Sequence, residues 1–199
     1  MSIFKYGEQE LNYLKKQDER LSLAIERIGM IERNVTPDLF TALINSIVSQ
    51  QISTKAATTI RNRLLNKVPN INPDAVAALS IEDIQSCGLS TRKAGYIKSC
   101  ADAVIHGAIK LSELPSLSDN EVIKQLCSLN GVGIWTAEML LIFSLERPDV
   151  VSYGDLGIRK GMMKLYGMES LTKIQFENLR ERYSPYGSVA SLYLWELSK

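Results

Sequence analysis

Residues 126–137 read Leu126-Cys-Ser-Leu-Asn-Gly-Val-Gly-Ile-Trp-Thr-Ala137. Glu121, Val122, Ile123 and Leu126 form a short helical pattern ending just before Leu129, and Ile134–Leu145 carries a longer one directly afterwards. Two glycines flanking one valine join them. Glycine tolerates φ > 0 at little steric cost, so Gly131 and Gly133 permit a very tight turn between two helices. Having no side chains, they also let a ligand approach the backbone. Leu129 and Val132 are placed to pack the two helices together. The amides opening the second helix point outward, and a phosphate oxygen is their natural partner through hydrogen bonds and the helix dipole. An ordinary αα-hairpin with a glycine cap has the same local sequence, so both readings stand at this point.

Working outward, the apolar spacing is helical nearly everywhere. Glu10–Ile28 carries Leu11, Leu14, Leu21, Ile25 and Ile28 on one face. Thr36 is a candidate cap before Pro37, and Leu39, Leu43, Ile44, Ile47 and Val48 continue that helix. Ser53 opens another through Ala56, Ala57, Ile60, Leu64 and Leu65, and Val68–Pro73 is a loop. Short helices near Pro73–Leu79 and Ile81–Gln85 precede a stop at Gly88. Thr91–His106 is a longer helix, and Pro115 and Ser118 mark a turn and a cap. After the hairpin, Arg147-Pro148-Asp149 breaks the helix, and Asp149–Ser152 is the one extended-looking piece, too short to make a sheet. Helices near Leu156–Tyr166, Lys173–Tyr183 and Ser188–Leu197 follow. No low-complexity tract, long linker or fixed repeat is present. The predicted class is all-α, with residues 1–199 as a single domain of two helical lobes and the hairpin motif at about 119–145.

The chain has 199 residues, enough for a sizeable apolar core, with 45% hydrophobic and 23% charged residues. The formal net charge is only +1. Any contact with nucleic acid must therefore come from local charge and backbone amides, not from a general positive field. Cys87, Cys100 and Cys127 are scattered and odd in number, which argues against a disulfide framework, a structural zinc or a four-cysteine iron–sulfur cluster. They read as reduced, mostly buried thiols of a cytoplasmic protein. The N-terminal stretch MSIFKYGEQELNYLKK lacks the apolar run of a secretory signal, and no stretch reaches the roughly eighteen apolar residues of a membrane span.

The full string Leu-x-Gly-Val-Gly-x-x-Thr-Ala resembles the helix-hairpin-helix motif of DNA-binding proteins. About twenty residues on, Val151-Ser-Tyr-Gly-Asp-Leu-Gly-Ile-Arg159 looks like the acid-bearing segment of the helix-hairpin-helix (HhH-GPD) base-excision glycosylases. Upstream, Ile47-Val-Ser-Gln-Gln-Ile-Ser53 and Gly88-Leu-Ser-Thr-Arg-Lys-Ala94 look like the alkylbase branch of that superfamily, the DNA-3-methyladenine glycosylase II family. The similarity runs from about Asp38 to the C-terminus, four spaced motifs in the right order.

This resemblance implies a bilobed all-α fold with the DNA site and active-site cleft between the lobes. It implies that Asp155 is the catalytic carboxylate and that amides around Gly131 and Gly133 meet DNA phosphates. Trp135 and Trp195, the only tryptophans, match positions lining the base pocket. Met139 and Leu156 join them where the best-known bacterial relative has tyrosines. Gln50 and Gln51 match the plug that enters the helix where the base left, with Gln51 replacing a common leucine wedge. Thr91, Arg92 and Lys93 would touch phosphate. Hairpin carbonyls of Cys127, Leu129 and Val132 match those that hold a monovalent cation, Na+ or K+, in relatives. Relatives that also nick the strand carry a lysine nucleophile two residues after the second hairpin glycine. Trp135 stands there, which implies a monofunctional hydrolase without lyase activity. Only about thirty residues precede the shared region, so the extra N-terminal mixed α/β domain of some relatives is not expected.

The chemistry fits these residue types. A base must be flipped out of the duplex before its glycosidic bond can be attacked. A base alkylated at a ring nitrogen is cationic and leaves as a neutral molecule. The sugar then gains oxocarbenium character, which a nearby carboxylate stabilises while it orients or deprotonates water. An electron-poor base stacks well on an indole ring. Each residue has a plainer competitor. Asp155 is a good N-cap for the helix beginning at Leu156. The tryptophans pack cores, and the two glutamines and Ser90–Lys93 cap or solvate helix ends. Arg159, Lys160 and Lys164 add positive charge near Asp155, while His106, the only histidine, reads as structural.

The expected function is therefore a DNA glycosylase for alkylated purines in base excision repair, releasing 3-methyladenine, with 7-methylguanine as a further candidate. It would act as a monomer on duplex DNA, with no redox cofactor, catalytic metal or membrane partner. The competing readings are a glycosylase for oxidised or mismatched bases, a non-catalytic helix-hairpin-helix module, and a helical protein–protein adaptor.

Overall fold

Asp18 divides what the apolar spacing reads as one N-terminal helix. In the computed structural model, which describes residues 2–199, this residue is extended, with φ −147° and ψ 110°. The chain runs through β1 (Ser2–Ile3), α1 (Glu8–Gln17), α2 (Glu19–Ile28), β2 (Asn34–Val35), α3 (Leu39–Ser49), α4 (Thr54–Lys67) and α5 (Pro73–Ala77). It continues through α6 (Ile81–Gln85), α7 (Thr91–Ile105), α8 (Asp119–Leu126), α9 (Ile134–Phe143), α10 (Leu156–Tyr166), α11 (Lys173–Arg180) and α12 (Gly187–Ser198). The all-α class holds. Two compact units form: one from the segments up to Val35 and from Leu141 to Lys199, the other from Thr36–Leu140.

Helix starts follow the side chains that can accept an orphan amide. Ser53, Ser80, Ser90, Ser118 and Asp155 each accept from the amide three residues on. Thr36 is not the cap of α3. Asp38 is, accepting from Thr41 N at 2.7 Å, so Pro37 lies outside the helix. The break at Asp18 has a similar cause. Its carboxylate caps α2 through Leu21 N at 2.9 Å and is buried. The segment Asp149–Ser152 joins no sheet, as its length leads one to expect. The antiparallel pairing among the described residues joins Ser2 to Val35 and Ile3 to Asn34.

The first unit is built on α10 and α12, packed side by side. A Cβ at Gly161 of α10 would collide with the Leu194 carbonyl oxygen of α12 and lie 2.6 Å from its carbon. Only glycine allows so close a crossing. The N-terminal half of α12 holds the segment that leads into α10. Ser188 Oγ accepts from Val150 N at 3.0 Å, and Ser191 Oγ lies 2.9 Å from the Val150 carbonyl. Gly187 N donates to Asp149 Oδ1 at 3.1 Å. Side-chain hydroxyls thus stand in for a neighbouring strand and satisfy a buried backbone. The second unit packs α3 against α4 and α7, around Leu43, Ile44, Ile47, Leu64 and Ile97.

Asp18 also anchors a polar knot in the first unit. Tyr166 Oη donates to Asp18 Oδ2 at 2.5 Å and lies 2.9 Å from Tyr183 Oη. The Arg182 guanidinium is 3.4 Å from the same carboxylate oxygen. Burial, then the Asp18 acceptor, raises the Tyr166 phenol above its ordinary value of 10.0. Burial does the same for Tyr183 and Tyr193. A raised phenol pKa means the folded state holds the proton more tightly. The stabilisation is complete below the ordinary value and is lost as pH rises above it. Unfolding midpoints followed from about pH 8 to about pH 11 should fall steeply above about pH 10. Tyr166→Phe should flatten that fall and cost about 1–2 kcal/mol at neutral pH, because it leaves the buried Asp18 short of a donor.

Candidate active site

Three of the four sequence motifs meet inside the second unit. In the hairpin, Val132 N donates to the Leu129 carbonyl at 3.2 Å, and both side chains are buried. The two glycines, expected to serve one purpose, serve two. Gly131 has φ +82°, and a Cβ there would collide with the Tyr96 ring of α7. Gly133 is exposed, needs no positive φ, and a Cβ there would meet nothing within 4 Å. Gly131 therefore answers to the turn and to Tyr96, whereas Gly133 opens the surface at the start of α9, where its carbonyl takes Ala137 N at 3.0 Å.

The turn after α3 is tied to this hairpin. Gln50 Nε2 donates to the Gly131 carbonyl at 2.8 Å. Lys93 Nζ donates to the Val48 and Gln50 carbonyls at 2.9 and 2.5 Å. Its ammonium caps the end of α3 in this way instead of pointing at solvent, and burial followed by the Arg92 charge lowers its pKa. The expected phosphate contact from Lys93 does not match this placement. Thr91 accepts from Gln85 Nε2 at 3.0 Å, while Arg92 is exposed. Gln51 is exposed with φ +57°, a conformation that costs a non-glycine residue about 1–2 kcal/mol.

The fourth motif lies in the first unit. Asp155 is 8% exposed and caps α10, Oδ1 accepting from Ile158 N at 2.9 Å. The same oxygen accepts from Trp195 Nε1 at 3.0 Å. Cap and candidate catalytic carboxylate are thus one residue. Trp195 is half-buried, with Phe143 at 5.5 Å between ring centroids and tilted by 30°. The Arg33 guanidinium lies 5.9 Å from its ring centroid. A Cβ at Gly157 would stand 2.8 Å from Trp195 Cδ1 and 3.1 Å from Asp155 Oδ1. Gly157 and Gly161 are one turn apart on α10, so one bare face admits both the indole and the α12 backbone.

The other predicted residues separate between the units. Trp135, 44% exposed, and half-buried Met139 lie one turn apart on α9 in the second unit. Leu156, 56% exposed, opens α10 in the first. Of the basic residues near Asp155, Arg159 stacks on Tyr153 at 5.2 Å and Lys164 Nζ donates to the Ser198 carbonyl at 3.2 Å. His106 caps the end of α7 and contacts the Asp102 carbonyl at 2.7 Å. Gly157, Tyr96, Phe143 and Arg33 escape sequence reasoning. Only Gly157 leaves a signal there, as the first of two glycines four apart. Among the described residues no helix is long and apolar enough to cross a membrane, and no trio of His, Cys, Asp or Glu could hold a metal.

The chain is similar to known proteins over most of its length. Residues 44–185 match the family described as HhH-GPD superfamily base excision DNA repair protein. DNA-3-methyladenine glycosylase 1 of Schizosaccharomyces pombe is 35% identical over 195 residues, covering 94% of this chain and 86% of that protein. The crystal structure of a DNA-3-methyladenine glycosidase from Bacillus halodurans superposes with a TM-score of 0.89 at 35% identity, over 100% of this chain and 93% of that one. The S. pombe 3-methyladenine DNA glycosylase in complex with abasic DNA gives 0.84 at 34% identity, over 94% and 95% of the two chains. The chain belongs to the HhH-GPD superfamily of base excision DNA repair proteins.

Gly157→Ala isolates the Trp195–Asp155 contact. In a Trp135→Phe background Trp195 is the only fluorophore of its kind. The added methyl should displace the indole and shift its emission, while stability changes by about 1 kcal/mol or less because helix propensity offsets the strain. Unshifted emission would mean that the glycine is not needed for this contact.

Proposed function

We propose that this chain is a monofunctional DNA glycosylase that flips alkylated purines out of duplex DNA and hydrolyses their N-glycosidic bond, releasing 3-methyladenine and 7-methylguanine. The observation that carries the reading is the Asp155 carboxylate, held at Oδ1 by both the Ile158 amide and the Trp195 indole. A carboxylate with a fixed orientation can stabilise the positive charge that develops on the sugar and can direct water to its anomeric carbon. The alkylated base departs neutral, so it needs no general acid.

The remaining residues take supporting roles. The bare surface at Gly133 and the amides opening α9 suit a DNA phosphate. Gln51, exposed in a left-handed turn, suits the gap left by the flipped base, with Gln50 and Lys93 bracing that turn from within. In the second unit, exposed Trp135 and half-buried Met139 suit contact with a base; in the first, exposed Leu156 suits the same use next to Asp155, whose carboxylate Trp195 orients. Trp135 replaces the lysine that lyase-competent relatives use, which supports hydrolysis without a Schiff base. The Cys127, Leu129 and Val132 carbonyls are a hard-oxygen set of the kind a Na+ or K+ ion prefers. The Leu129 carbonyl accepts Val132 N and keeps a second lone pair for it. The same reading makes the protein a cytoplasmic monomer that needs no redox cofactor or catalytic metal.

Incubation with methylated duplex DNA, with free bases measured, tests this directly. Wild type should release 3-methyladenine and 7-methylguanine, and Asp155→Asn should release them about 100- to 1,000-fold more slowly while still binding DNA. Equal release by both proteins would remove Asp155 from its role. Absence of release by the wild type would leave a DNA-binding module.

A further inference from the structure

Arg33 belongs to no sequence motif, yet its backbone is pinned from several sides. Phe4 N donates to the Arg33 carbonyl at 2.8 Å, and Ser2 and Ile3 pair with Val35 and Asn34. Just upstream, Tyr6 Oη donates to the Ile31 carbonyl at 2.8 Å and accepts from Ile31 N at 2.7 Å. Tyr193 Oη of α12 donates to the Gly29 carbonyl at 2.9 Å. This strap delivers the guanidinium over the Trp195 ring, 5.9 Å from its centroid. The indole Nε1 of that ring donates to Asp155 Oδ1 at 3.0 Å. A positive charge and a negative charge therefore address the same indole, one over its ring and one at its N–H.

We infer that Arg33 is a specificity-determining residue that sets the balance between neutral and cationic damaged bases. The inference rests on the glycosylase reading, with the leaving base beside the Asp155 carboxylate that Trp195 orients. When the bond between the sugar C1′ and the base nitrogen breaks, its electron pair goes to the base. Water then adds to C1′, and its proton passes to Asp155 or to solvent. A base alkylated at a ring nitrogen begins at +1 and leaves neutral. A neutral damaged purine leaves as an anion and is reprotonated by water. A nearby guanidinium stabilises the forming anion and so accelerates neutral lesions. The same charge opposes binding of a cationic base, whose ground state it repels. Trp195 and Asp155 serve both classes alike, whereas the Arg33 charge discriminates between them.

Single-turnover excision from two matched duplexes tests this, one holding hypoxanthine (a neutral purine) and one holding 7-methylguanine (cationic as the nucleoside). The readout is the ratio of the two rates, since a merely structural loss lowers both together. Arg33→Gln should lower the neutral-to-cationic ratio about tenfold, the size expected for one charge near a partly desolvated pocket. Arg33→Lys, which keeps the charge, should retain most of the ratio. An unchanged ratio in Arg33→Gln overturns the inference, and so does a wild type that releases 7-methylguanine but no hypoxanthine. A wild type that releases neither base overturns the glycosylase reading itself, and the inference falls with it. Release of 7-methylguanine thus separates the two failures.

Discussion

The contact between α10 and α12, where Gly161 lies against the Leu194 carbonyl, governs the geometry of the carboxylate end of the protein. Side chains usually hold helix axes 8–10 Å apart. A Cβ at residue 161 would push α12 outward, and Trp195, the residue after Leu194, would move with it. The Nε1–Oδ1 distance of 3.0 Å would stretch beyond hydrogen-bond range. Gly157, one turn earlier, leaves space for the indole itself. At its other end α12 receives the incoming chain, with Ser188 and Ser191 on the backbone of Val150. One helix thus steers the segment into Asp155 and supplies the donor that orients the residue on arrival.

The second unit answers a different constraint. With a formal net charge of +1, the chain has little general attraction for phosphate. Some of its cations are committed internally as well. Lys93 caps the end of α3, and Lys98 Nζ turns in on the Ala77 and Leu79 carbonyls. Such lysines satisfy helix C-terminal carbonyls that would otherwise lack donors. What the hairpin offers outward is backbone: the bare surface at Gly133 and the start of α9. Amides of that kind are positioned by the fold and carry no side-chain entropy to lose. They therefore suit anchoring at a defined register better than long-range attraction.

Much of this was legible in the sequence, for reasons that differ by residue. The hairpin, the α10 boundaries and Ser53, Ser90 and Ser118 as caps follow from local chemistry, which sequence records directly. Asp155 could be read as a cap or as a carboxylate, and the structure shows that a cap can still face a tryptophan. The break at Asp18 was hidden because apolar spacing runs through it, and its partners Tyr166 and Arg182 lie far along the chain. Ser188 and Ser191 replacing a strand were invisible for the same reason. Lys93 looked like a phosphate ligand because sequence gives a charge but not its direction. Arg33 reaches Trp195 only through a two-residue strand pair, far below the length at which alternation can be recognised.

The two tryptophans show how far residue type falls short of role. Both looked like walls of a base pocket. A buried indole N–H normally finds an acceptor, and for Trp195 that acceptor is the carboxylate. Its ring is also shared with Phe143 and Arg33, which leaves less of it for a stacked base. Trp135 is 44% exposed on the first turn of α9. Under the proposed chemistry, orientation of the carboxylate falls to Trp195. The reason is physical: an indole has one N–H and two faces, and the N–H and much of the ring surface of Trp195 already serve neighbours within its own unit.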